Sequence, residues 1–263
     1  MILIRSCHGH DELEACVQMQ IDTWGYDPTD VIPRKAFLVM QKVGGQVIGA
    51  FDTELPGASA EGDSRSLIGF AMSLPGMKTG DGSPKAYLHS HMLAVRPEYR
   101  NRGLGAQLKR EQRREALGRG IELMEWTFDP LEIKNAYLNV CKLGAVMRRY
   151  SVDFYGVSSS RLQGGLPTDR LTAEWHMNSP RVNAVLNGDP LPAYEIEERI
   201  AVPAAIYAWK ASDEDRARAA EVQLGNRNRF QEAFKRGLAV LGFVRDEEGN
   251  GVFELGPQAQ LGL

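Results

Sequence analysis

The chain has 263 residues, 43% of them hydrophobic and 25% charged, and a net charge of −3, with a pI near 6.0. That balance suits a globular protein with a full core and excludes a broad electrostatic attraction to nucleic acid or to an anionic membrane. No apolar run approaches the ~20 residues of a membrane span, and Cys7, Cys16 and Cys141 stand too far apart for a disulfide framework or a Cys-x-x-Cys metal pair, so they read as buried thiols of a cytoplasmic protein.

Met1 to Arg5 reads as a strand rather than a signal peptide. His8-Gly-His10 reads as a loop before a helix. Asp11 is placed to cap that helix, whose Leu13, Val17, Met19 and Ile21 keep a helical spacing to Trp24 before Asp27-Pro28 breaks it. A short helix over Arg34 to Gln41, a hairpin-like turn at Gly44-Gly45, and strands over Gln46 to Glu54 and Leu67 to Leu74 follow. Pro56 to Ser66 and Pro75 to Pro84 read as loops, the first of them mobile, and Tyr87 to Val95 as the central strand.

That strand ends at Pro97 and leads into Arg100-Asn101-Arg102-Gly103-Leu104-Gly105, after which a helix runs from near Gly103 to about Arg119. A glycine-rich turn that opens a helix aims free backbone N–H groups at one point, where the helix dipole also favours negative charge; such a turn suits a pyrophosphate. It is not a dinucleotide fingerprint, because the third glycine is replaced by Leu108, and it lacks the Gly-Lys-Ser/Thr of a Walker loop.

Downstream, Ile121 to Phe128 reads as a strand and Asp129-Pro130 as the start of a helix ending near Leu143 with Gly144 as its C-cap. Ala145 to Tyr155 and Leu171 to Met177 read as strands around a loop at 156–169. Beyond them, Pro192 to Pro203 reads as a connector, Ser212 to Arg236 as a charged helix, and Leu238 to Asp246 with Gly251 to Leu255 as a hairpin.

The turn Arg100-x-x-Gly103-x-Gly105, joined to Leu93-Ala94-Val95-Arg96-Pro97 upstream and a helix downstream, resembles the signature of GNAT-type acyl-CoA N-acyltransferases. The resemblance implies an α/β fold: a mixed, splayed sheet flanked by helices over residues 1–177, with a C-terminal α+β extension over 178–263 that is GNAT-like or a dimerisation element. Trp126 to Leu131, Asn135 to Asn139, Lys142 to Ala145 and Gly165 to Leu171, followed by Glu174-Trp175, look like one bacterial group of the family. Its members are often encoded beside N-acylamino-acid racemases, and some are held to N-succinylate amino acids.

The resemblance further implies acetyl-CoA or succinyl-CoA as co-substrate and no metal. The acyl-CoA would be bound by Leu93, Ala94, Val95, Arg100, Asn101, Arg102, Gly103, Leu104, Gly105 and Ala106, with Asn135 on the pantetheine arm beside Asn139 on one helix face. Arg96, Arg100 and Arg102 either neutralise phosphates or only solubilise the turn.

His89 and His91 point to one face of a strand and titrate near neutrality, which suits a general base for deprotonating an amine. One GNAT enzyme, serotonin N-acetyltransferase, carries such a pair at the same distance from its Leu-Ala-Val. No further ligand stands at a spacing that would make the pair a metal site. The family's usual acid, a tyrosine, is replaced by Val140, and Tyr137 is the substitute one turn earlier. Arg170 is read as a carboxylate clamp, Glu174 as an ammonium partner and Trp175 as a pocket wall, with Trp24, Trp126 and Asp129 lining the same cleft; the alternative for the Arg170–Trp175 stretch is an ordinary strand of alternating exposure.

The function implied is transfer of an acetyl or succinyl group from acyl-CoA to the primary amine of a small molecule, an amino acid among the candidates, with no nucleic-acid or membrane partner and with a homodimer as the assembly. A non-catalytic acyl-CoA-binding module acting through a protein partner is the alternative; a protein or peptide acetyltransferase ranks last.

Overall fold

A computed structural model describes residues 1–79, 82–160 and 163–262. These residues divide into two units, one of Met1–Glu125 with residues 159–160, the other of Trp126–Ser158 with residues 163–262.

The first unit holds β1 (Ile2–Ser6), α1 (Gly9–Trp24), α2 (Arg34–Lys42), β2 (Gln46–Asp52), β3 (Leu67–Lys78), β4 (Lys85–Val95), α3 (Leu104–Gly118) and the start of β5 (Leu123–Phe128). Strands β1 to β4 form an antiparallel meander. Strand β5 joins parallel to β4, which requires a crossover, and α3 is that crossover. Leu13, Cys16 and Met19 of α1 and Phe37 of α2 are buried with Phe51, Phe70, Met72 and Met92 in one cluster. Leu104 and Leu108 of α3 are buried with Ile48, Ala50, Ile68 and Ala71 in another. The alternation of strand side chains between faces supplies both clusters at once.

Several local expectations change. Helix α1 starts two residues before Asp11, and the Glu12 carboxylate, not Asp11, takes the His8 N–H at 2.7 Å. Gly44-Gly45 joins α2 to β2 instead of closing a hairpin, and a Cβ on Gly45 would lie 2.4 Å from the Ser73 carbonyl oxygen. The stretch from Pro75 to Lys78 belongs to β3 rather than to a loop. The loop after β2 is tied down: Arg5 donates to the carbonyls of Glu61 (3.0 Å) and Gly62 (3.1 Å) while its guanidinium pairs with Glu12.

The second unit holds the end of β5, α4 (Ile133–Tyr137) running into a π turn (Leu138–Lys142), β6 (Val146–Ser151), β7 (Arg170–His176), α5 (Pro180–Asn187), β8 (Glu198–Val202), α6 (Ile206–Ala211), α7 (Arg216–Lys235), β9 (Leu238–Arg245) and β10 (Gly251–Pro257). Its strand order is β5-β7-β6-β9-β10-β8. The boundary expected at residue 177 is absent because β6 pairs with β7 on one side and with β9, at Met147↔Val240, on the other. The C-terminal hairpin and the long helix form as the sequence predicts. The connector at 192–203 instead contains β8, which pairs with β10. Asn226 and Arg229 of α7 donate to the Ala201 and Arg199 carbonyls of β8, at 3.0 and 2.6 Å, which blunts that strand's outer edge. Asp129-Pro130 does not open a helix, because the Asp129 carboxylate closes a turn onto the Leu131 N–H (2.8 Å) and holds the buried Lys210 ammonium (2.8 Å).

Candidate active site

After β4 the Arg96 N–H donates to the Ile68 carbonyl at 2.9 Å, and one tight turn at Pro97–Tyr99 reverses the chain. Asn101 and Gly103 then adopt positive φ, 60° and 76°, which turns successive amides the same way before α3 begins. The first helical bond here runs from the Gln107 N–H to the Gly103 carbonyl, at 3.1 Å. Among the described residues no protein acceptor takes the N–H groups of residues 101–106. A Cβ built on Gly103 meets nothing within 4 Å, so the space in front of these amides is open. Arg100 braces the turn through Nε on the Val95 carbonyl at 3.0 Å, which removes that carbonyl from the groups expected to pair with pantetheine. The Arg102 guanidinium lies 5.5 Å from the centre of the Tyr99 ring.

Strand β4 carries the histidines. Its ladder with β3 slips between Met72↔Met92 and Ser73↔Ser90, so His91 is the extra residue of a β-bulge. The two imidazole rings stand 6.2 Å apart. Between them Ser90 is buried and accepts from the buried Lys109 Nζ at 2.6 Å. Burial pulls the His91 imidazole below its ordinary pKa of 6.5, which keeps it neutral and basic at pH 7. Toward β5 the ladder has only the pairs Leu88↔Met124 and His89↔Glu125. Beyond His89 the backbone of β4 has no ladder partner on that side among the described residues. That exposed edge is a row of donors and acceptors for an extended ligand.

Glu125 was not among the sequence candidates. It is buried, ion-paired with Lys78, and opposite His89 in register. The available signal was a lone acidic residue inside the apolar strand Leu123–Phe128, since a buried carboxylate needs a reason. Trp24 stays in the first unit, stacked on Tyr26 at 5.5 Å and packed against the α1 core.

The other candidates lie in the second unit, and most of them are structural. Trp175 is fully buried, donates from Nε1 to the Leu143 carbonyl at 2.6 Å, and meets Trp126 edge to face at 5.9 Å. Trp126 is buried too and donates to Asn139 Oδ1 at 3.2 Å. Neither indole walls a pocket, and Asp129 is consumed by its turn and by Lys210. Glu174 is not open to a substrate ammonium: its buried carboxylate accepts from Arg148 and, at 3.2 Å, from Arg149. Burial opposes its ionisation, but the His176 ring and the two guanidiniums outweigh that and hold it at about 2. Arg170 is engaged by the Asp169 carbonyl (2.8 Å) and Gln163 (3.1 Å). The π turn separates Asn135, which is exposed, from Asn139, which is buried with its Nδ2 unpartnered, so the two do not share a solvent face. Tyr137 is exposed, with the Lys142 ammonium 5.4 Å from its ring.

Among the described residues no group of three or more His, Cys, Asp or Glu is placed to hold a metal, and no helix is long and apolar enough to cross a membrane. The Cys7 and Cys16 thiols are buried 3.9 Å apart.

This arrangement, a bulged strand leading into an amide-lined turn and a helix, beside a strand that pairs only briefly, is that of the GNAT acetyltransferases. Residues 20–136 match the model of the acetyltransferase (GNAT) family. The chain is similar to the solved structure of Arabidopsis thaliana NAA60 in complex with acetyl-CoA, at 18% identity and a TM-score of 0.55, over 68% of this chain and 100% of that one. The same plant protein in complex with a bisubstrate analogue matches at 18% identity and a TM-score of 0.52, over 66% of this chain and 97% of that one. No curated protein matches the chain. The chain therefore carries a GNAT acetyltransferase domain and has the GNAT fold, a mixed splayed sheet with flanking helices.

Proposed function

We propose that the protein is an acyl-CoA-dependent N-acyltransferase that moves an acetyl or succinyl group to the primary amine of a small molecule, an amino acid being the candidate acceptor. The observation that carries this reading is the set of unclaimed N–H groups at 101–106 with open space before them. They fit a diphosphate, and the unpaired β4 edge next to them fits the extended arm of the same molecule. Acyl-CoA supplies the acyl group as a thioester.

The protein's part is positioning and proton removal. The neutral His91 imidazole, or His89 beside Glu125, takes the amine proton; the amine nitrogen bonds to the thioester carbon, the carbon–sulfur bond breaks, and the thiolate leaves. Tyr137 supplies the one hydroxyl on α4 for protonating that thiolate. Val140, buried where the family's tyrosine is expected, favours the second reading, an acyl-CoA-binding module without turnover.

The test is thiol release from acetyl-CoA and succinyl-CoA against a panel of amines. Release that requires both substrates supports the transferase. Acyl-CoA binding with no amine-dependent release selects the binding module, and absence of acyl-CoA binding contradicts both.

A further inference from the structure

Strand β6 contains a second bulge. Its ladder with β7 passes from Met147↔Ala173 to Arg149↔Thr172, so Arg148 is the extra residue. A regular strand would send Arg148 and Arg149 to opposite faces; the bulge lets both reach Glu174. Glu174 is buried, yet the side chains around it are open: Arg148 keeps 31% of its exposure, Arg149 48% and His176 30%. Two guanidiniums thus face one carboxylate, leaving a surplus positive charge at the surface.

Arg148 spends Nε, at 3.2 Å, and Nη2 on Glu174, and among the described residues its Nη1 takes no protein partner. His176 Nε2 has no hydrogen-bond partner either and stands 3.8 Å from the Glu174 carboxylate. A carboxylate that fixes one edge of a guanidinium leaves the other edge pre-aimed, and planar anions are recognised by that edge. Arg170 and His176 alternate onto the same face of β7 as Glu174, which adds cationic character along the strand.

We propose that Arg148, oriented by Glu174 and flanked by His176, is the specificity-determining residue for a substrate that carries a free carboxylate. This rests on the acyltransferase reading and narrows it: the anionic end of the transferred acyl group or of the acceptor docks on the β6–β7 face, with Arg148 in the role that the sequence assigned to Arg170.

The test compares kcat/KM for matched pairs, succinyl-CoA against acetyl-CoA as donor and phenylalanine against phenylalaninamide as acceptor. It uses the wild type and the double variant Arg148→Gln/Glu174→Gln, which removes both charges and strands neither. A tenfold or greater fall of the carboxylate-to-neutral ratio in one pair supports the proposal and identifies which substrate carries the anion. Ratios within twofold of wild type in both pairs overturn it; a general loss of fold lowers both members of a pair alike and leaves the ratio. If no pair turns over, the transferase reading fails, and calorimetry with succinate decides the site separately. Binding weakened tenfold in the variant supports an anion site. Equal binding, or none in either protein, overturns it.

Discussion

His89 and Glu125 face each other as the last pair in the ladder between β4 and β5. Each comes from a different strand, and the ladder opens immediately beyond them, so an imidazole and a buried carboxylate sit at the point where the sheet parts. A carboxylate beside an imidazole favours its protonated form. Glu125→Gln is therefore expected to move the rising limb of the rate–pH profile to lower pH and to lower kcat by about 10–100-fold, with KM for acyl-CoA within twofold. An unchanged profile would remove Glu125 from the mechanism.

His91 gives a second pH signature. Because burial lowers its pKa, the unfolded chain binds a proton that the folded chain does not, so stability falls as pH drops below ~6.5. His91→Ala is expected to abolish that loss and, if His91 is the base, to cost about 10²–10⁴ in kcat. Chemical denaturation at pH 5 and pH 8, with kinetics at the same values, separates the two effects.

Gly103→Val probes the turn. At φ 76° with no atom within 4 Å of a built Cβ, the substitution meets backbone strain of about 1–3 kcal/mol but no clash inside the protein. Its side chain would enter the space in front of the amides. Acyl-CoA affinity is expected to fall at least tenfold while kcat at saturation changes little; isothermal titration and initial rates read the two.

Glu174 is held at about 2 against an ordinary 4.5. A depressed carboxyl contributes stability above its unfolded pKa and loses it as pH falls toward the folded one. About 3 kcal/mol is at stake between pH 5 and pH 2, and Glu174→Gln should lack that dependence. Urea unfolding of both proteins across this range measures it.

Trp175→Phe tests whether the indole is core rather than a substrate wall. It leaves the Leu143 carbonyl unpartnered, at about 1–3 kcal/mol, or about 2–4 °C of melting temperature per kcal/mol for a chain this long. The kcat/KM of the folded fraction should stay within twofold, whereas a large rise in acceptor KM would return Trp175 to the substrate site.

The strands and helices up to Gly118 were legible because their signals are local: alternation in β2 and β4, a glycine turn, and an amphipathic α3. The amide turn was legible for the same reason, since its chemistry resides in consecutive residues. What the sequence hid depends on register and on distant partners. The bulges at His91 and Arg148 come from ladder pairing with other strands. Strand β8 reads as a connector until β10 is beside it. Glu174, Asp129 and Trp175 looked like site residues because polar and aromatic groups in a strand or turn attract that reading. Only their partners, Arg148, Lys210 and the Leu143 carbonyl, show them to be fixed.

Amide hydrogen exchange at residues 101–106, with and without CoA and with pantetheine as the analogue lacking the diphosphate, tests the amide turn most directly. Binding of the diphosphate there predicts that these amides, rapidly exchanging in the free protein, become protected at least tenfold by CoA and stay unprotected with pantetheine. CoA bound at saturation with no change in their exchange would contradict it.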